Sequence, residues 1–147
     1  MATQPALKAV LAGGLAAGLI DIGAAALINR LNPVVILHAI ASGVLGKAAY
    51  HGGLPAALLG LGLQCLMSIA IAALYLGVAA QSIWLRRHWV LAGVAAGPVI
   101  FAVMNYAVVP LSRAWPKAHF DPVTIVPNLA AMVLFGLIIA FFARSRR

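Results

Sequence analysis

The stretch VVILHAIASGVLGKAAY, Val34 to Tyr50, decides how this chain is built. It is apolar enough to enter a bilayer, and its length falls at the lower edge of the roughly 17–25 residues that a crossing helix uses. Asn32-Pro33 punctuates the chain before it and His51-Gly52-Gly53-Leu54-Pro55 after it, so the segment is bounded by turns on both sides. Whether it crosses, dips in or lies along the surface sets the number of spans.

The rest of the chain leaves little doubt about the solvent. Of 147 residues, 65% are hydrophobic and only 8% charged, and the mean hydropathy is +1.08. A soluble domain carries about a quarter of its residues as charges. The alternating pattern of a membrane β-barrel is absent. The expected fold is all-α: one polytopic transmembrane helical bundle over residues 1–147, with no second domain. Four firm spans are predicted, at about Ala6 to Ile28, Ala56 to Ala80, Val90 to Leu111 and Thr124 to Phe142. The first also has the outline of a signal peptide, with Lys8 ahead of an apolar run and Ala24-Ala25-Ala26 behind it, but Asp21 interrupts that run.

The basic residues lie at the ends of the apolar runs, as topology signals do. Four spans with the amino terminus inside place Lys8, Arg86, Arg87, Arg144, Arg146 and Arg147 in the cytoplasm. Five spans with the amino terminus outside exchange Lys8 for Arg30 and keep the others. Both arrangements make the Arg86-Arg87 loop and the carboxyl tail cytoplasmic and leave Lys47, Arg113 and Lys117 on the far side. Trp84 and Trp89 flank the arginine loop as an interfacial girdle. Asp121 is positioned to cap a helix opened by Pro122. The net charge of +8 is thus spread over span ends and does not form the basic face a nucleic-acid binder needs, so no nucleic-acid partner is expected.

Small residues mark the surfaces on which helices meet. Gly14, Gly18, Asp21 and Ala25 share one face of the first span; Ala39, Gly43 and Gly46 share one in the short segment; Gly93 and Gly97 repeat the device beside Pro98. In lipid, where packing holds helices together, such faces allow close backbone approach. Gly60, Gln64, Ser68 and Ala72 form a polar and small stripe in the second firm span. Asp21 therefore points at another helix. An ionisable group within a span costs about 2.5–3.5 kcal/mol on insertion scales and calls for a partner, and Asp21 is read first as hydrated or hydrogen-bonded structural glue near the end of its helix and second as a proton or ion group. His38, Gln64, Asn105 and Asn128 are the candidates, with Lys47 available if the short segment folds back.

Other chemistry is thinly represented. The histidines at 38, 51, 88 and 119 show no paired spacing, so neither haem nor metal is expected and no cofactor is assigned. Cys65, the only cysteine, excludes an internal disulfide. Lys47 beside Tyr50 reads as an interfacial anchor. Asn105 before Pro110, and Asn128 after Pro127, either line a cavity where kinked helices expose backbone or repair the hydrogen bonds that proline removes, and the second reading is preferred. With Asp21 and Asp121 as the only acids, no nucleophile-and-base set or paired carboxylates can be assembled, and an enzyme is not expected.

The run ASGVLGKAAYHGGLPAALLGLGLQ, Ala41 to Gln64, followed about forty residues later by MNYAVVPLS, Met104 to Ser112, resembles a family of uncharacterised small bacterial inner-membrane proteins. Those proteins show S-G-x-x-G, then G-G, a glycine-rich helix, and later M-N with P-L-S. The resemblance covers most of the chain after the first span and implies the same architecture and location. The family usually has histidine where this chain has Gln64. Two roles are weighed: an accessory or structural subunit, packing through its small-residue faces against itself or other membrane subunits in the lipid bilayer, and a small oligomeric transporter or proton-handling protein that uses Asp21. The first is ranked narrowly ahead.

Overall fold

A computed structural model describes residues 3–114 and 122–144, all of them helical or in short connections. The helices are α1 (Thr3–Asn29), α2 (Pro33–Leu45), α3 (Gly53–Gln81), α4 (Ile83–Arg87), α5 (Trp89–Val103), α6 (Val109–Leu111) and α7 (Pro122–Arg144). A 3-10 segment, Gly46–His51, follows α2, and a π-helical segment, Met104–Val108, joins α5 to α6. Five stretches are long and apolar enough to cross a membrane: Gln4–Asn29, Pro33–His51, Gly53–Gln81, Trp89–Leu111 and Pro122–Arg144. The expected caps Asp121 and the loop residues Lys117 and His119 lie outside the described residues, as do Arg146 and Arg147.

Four of the five long stretches run up and down. Gly14 of α1 meets Ile69 of α3, Gly18 meets Ser68, and Asp21 reaches Gln64, so the two helices are antiparallel. Gly13 meets Phe142 of α7, while Ala17 packs with Phe135 and Ile139, which sets α7 antiparallel to α1 as well. Gly93 against Leu137 and Gly97 against Val133 make α5 antiparallel to α7. We refer to the bundle end holding the start of α1, α4 and the finish of α7 as the near end, and to the opposite one as the far end.

The order of directions determines what happens to residues 33–51. Because α1 finishes and α3 starts at the far end, the segment between them leaves that end and returns to it. Length and composition alone would let it cross; the direction of its neighbours does not. Of the three possibilities the sequence leaves open, the structure selects a return. Leu37 presses its carbonyl against Gly60, and Ile36 and Ile40 pack with Ile22 and Ala26, so α2 dips along the far halves of α1 and α3. Its other end reaches α6, where the Arg113 amide donates to the Gly43 carbonyl at 3.0 Å.

Local chemistry explains the two bends. After α1, the Leu31 amide donates to Ala26 O at 3.0 Å and the Arg30 amide to Leu27 O at 3.3 Å, with Arg30 at φ 54. This is a Schellman closure with arginine in the left-handed position that glycine usually fills. The Asn32 side chain then accepts from the Val34 amide at 2.9 Å, and Pro33 opens α2. At the second bend Gly46, φ 64, ends α2, and Gly53, φ 61, starts α3. No side chain fits those backbones as easily.

Candidate functional site

The glycines close one half of the bundle. A methyl group placed on Gly97 would stand 2.5 Å from Val133 Cα, on Gly93 2.9 Å from Leu137 Cα, and on Gly14 2.8 Å from Ile69 Cα. Gly18 lies beneath the Ser68 hydroxyl in the same way. Of the glycines predicted as packing positions, Gly14, Gly93 and Gly97 therefore sit where two backbones of this chain touch, and Gly18 sits against the side chain of Ser68. The other two differ: Gly43 has only Ser112 nearby, at 3.9 Å, and Gly46 serves as the cap of α2.

Toward the far end, the helices part around a cavity of about 740 Å³. Asp21, Gln64, Asn105 and Asn128 all line it, from four different helical segments. Asp21 lies eight residues before the end of α1, about 12 Å along the helix from that end. The Gln64 amide nitrogen donates to Asp21 Oδ2 at 3.1 Å and to the Gly18 carbonyl at 3.2 Å. Gln64 is the carboxylate's partner because Gly18 and Ser68 let α1 and α3 come close enough for it to reach. No Lys, Arg or His lines the cavity among the described residues.

The remaining polar side chains divide by how they are satisfied. Asn105 donates to Phe101 O at 2.9 Å and Asn29 to Ala25 O at 2.8 Å, each one turn back on its own helix. Each of these bonds uses the amide nitrogen and leaves the oxygen as an acceptor, since an Asn side chain has both a donor and an acceptor end. Asn128 makes no side-chain hydrogen bond to any described residue. Asn105 belongs to the π-helical segment, whose wider turn is marked by the Val109 amide donating to Met104 O. Such bulges recur at functional sites, and here Met104, Asn105 and Val108 all face the cavity.

His38 is not part of this group. Its Nε2 donates to the Gly53 carbonyl at 2.9 Å, fastening α2 to the start of α3. Lys47 does not line the cavity either. Among the described residues no three His, Cys, Asp or Glu side chains come together.

Sequence reasoning missed part of the lining. Asn29, Ser112 and Thr124 stand at helix ends, where polar residues ordinarily cap or anchor, so nothing in their spacing points inward. Three of the chain's four methionines, Met67, Met104 and Met132, also line the cavity. An unbranched apolar residue in an apolar span carries no signal of which way it faces.

Compared with protein-family models, curated proteins and solved structures, the chain matches none.

Proposed function

We propose that this chain is a small bacterial inner-membrane transporter or proton-handling protein whose working group is Asp21. The observation that carries this reading is a carboxylate without a cationic partner among the described residues, placed on a cavity inside an apolar bundle. Isolated charge in such a place is expensive and is retained for ion or substrate handling. The cavity occupies the far half only, while the near half is shut by glycine packing, so the arrangement is that of a site reached from one side. By the charge rule the near end is cytoplasmic: it holds Lys8, Arg86, Arg87 and Arg144, with Arg146 and Arg147 next in sequence, against Arg30, Lys47 and Arg113 at the far end and Lys117 next in sequence. The site then faces the extracytoplasmic side, and the carboxyl terminus the cytoplasm. The chain works without a cofactor and without enzymatic chemistry.

Purified protein in proteoliposomes, with an internal pH-sensitive dye, tests this. An imposed gradient should dissipate faster with the native chain than with Asp21→Asn. Equal rates in both, with both proteins folded, would overturn the reading.

A second reading, the accessory subunit, draws on a different observation. Gly23, Gly62 and Gly77 face outward with nothing within 4 Å of where a side chain would begin. These are the small residues left for another helix, from a second copy or from another membrane protein. Native mass spectrometry of gently extracted protein decides it: recovery at fixed stoichiometry with other subunits supports the accessory role, and recovery alone or as a homo-oligomer favours transport.

A further inference from the structure

We infer that the cavity takes a lipophilic organic monocation, an amine or onium centre on an apolar body, with the positive centre at Asp21. This rests on the reading of the cavity as a transport site and adds the class of substrate.

Charge comes first. Asp21 is the acid of the cavity, and no Lys, Arg or His lines it among the described residues. Gln64 occupies one carboxylate oxygen through a neutral hydrogen bond and leaves the charge uncompensated. A bound cation supplies the missing countercharge, whereas an anion would meet a like charge in a medium of low dielectric.

The walls then select the kind of cation. An inorganic ion is held by several oxygens converging at short range. Here the carboxylate shares the space with Met67, Met104, Met132, Phe101 and Phe135. Thioethers adapt to irregular apolar shapes, and aromatic faces attract an organic cation. A volume of about 740 Å³ lies within the range of pockets that enclose drug-sized molecules. Asn128, with no hydrogen bond to a described residue, adds a polar contact from α7.

Access suits an apolar body. The helices pack in the order α2, α3, α1, α7, α5, and α2 and α5 do not pack against each other along their lengths. Among the described residues, the circle closes where Gly43 and Gly46 meet Ser112 and Arg113. Val44 and Val108, both lining the cavity, are exposed at 49% and 37%, beside the gap between α2 and α5. An amphipathic cation already dissolved in the bilayer can enter there.

The test uses the full chain in detergent and two probes of the same shape and opposite charge, tetraphenylphosphonium and tetraphenylborate, followed by titration calorimetry. Native protein should bind the phosphonium saturably at one site per chain and the borate at least tenfold more weakly. Asp21→Asn should weaken phosphonium binding tenfold or more. Met132→Trp, which fills the cavity and leaves Asp21 in place, should do the same, and it decides the matter if Asp21→Asn does not fold. Equal affinity for both probes, or undiminished phosphonium binding in a folded Asp21→Asn or Met132→Trp, would overturn the inference. Asp21-dependent proton flux with no phosphonium binding would remove the substrate class and leave the transport reading standing. Binding without flux would do the reverse.

Discussion

The Gln64 amide nitrogen bridges Asp21 Oδ2 and the Gly18 carbonyl, so one side chain of α3 joins a carboxylate and a backbone acceptor on α1. Gln64 itself is only 7% exposed. Replacing it with Leu leaves both acceptors without their donor while keeping the volume. Interhelical hydrogen bonds in membranes average about 0.6 kcal/mol and reach about 1.7. Gln64→Leu should cost on the order of 1–2 kcal/mol, read as a lower midpoint in thermal or denaturant unfolding in detergent. Asp21→Asn keeps an oxygen for the same amide and should cost less. Were the two variants equally stable to the native chain, the bridge would have no structural role.

Glycine position, not glycine content, determines which substitutions the bundle tolerates. A methyl group on Gly97 meets Val133 backbone at 2.5 Å, where nothing can swing aside. Gly97→Ala should therefore push α5 from α7 and cost about 1–3 kcal/mol, the usual range for overpacking. At Gly62 the same change meets open space. Gly62→Ala should leave the monomer as stable or up to about 1 kcal/mol more so, since alanine restricts the unfolded chain. A parallel pair of unfolding curves checks both signs at once.

Arg30 holds a left-handed backbone that costs a side-chain-bearing residue about 1–2 kcal/mol. Arg30→Gly keeps the Schellman hydrogen bonds and relieves that cost, so it should raise the unfolding midpoint. Arg30→Val, whose branched side chain fits this region worst, should lower it. An arginine at a place suited to glycine agrees with its use as a charge at the membrane surface.

Much of the bundle was legible because lipid imposes strong rules on sequence. Four apolar runs bounded by aromatic and basic residues give four crossings, and their ends in the structure lie within a few residues of those expected. The stripe Gly60, Gln64, Ser68, Ala72 is buried throughout, since helical period alone sets one face of α3. Asp21 could be aimed at a neighbouring helix for the same reason, and Gln64 was among its candidate partners. What could not be read was convergence: nothing in Asn105 or Asn128 distinguishes repair of a proline-broken helix from lining a shared cavity. Asn105 lines the cavity, and its side chain bonds Phe101 O, which is not the carbonyl that Pro110 leaves without a donor. The glycine stripe of α2 was legible as a pattern but not as a function, because Gly46 ends the helix where the pattern assumed it continued.

The antiparallel pairing of α1 with α3 carries a topological prediction that charge counting could not make. Helices that oppose each other must be joined at one end, so residues 33–51 return to the side they left, and the number of crossings is even. Single cysteines at Lys47 and Arg113, in a Cys65→Ser background, should both react with an impermeant maleimide from outside intact cells. Cysteines at Arg86 and after Arg147 should react only once the membrane is opened. If residues 33–51 crossed instead, the amino terminus would lie on the side opposite Arg86, and a cysteine placed at Gln4 would label from outside. Labelling of Gln4 from outside would also require α1 and α3 to be parallel, which contradicts Gly14 facing Ile69 while Asp21 reaches Gln64.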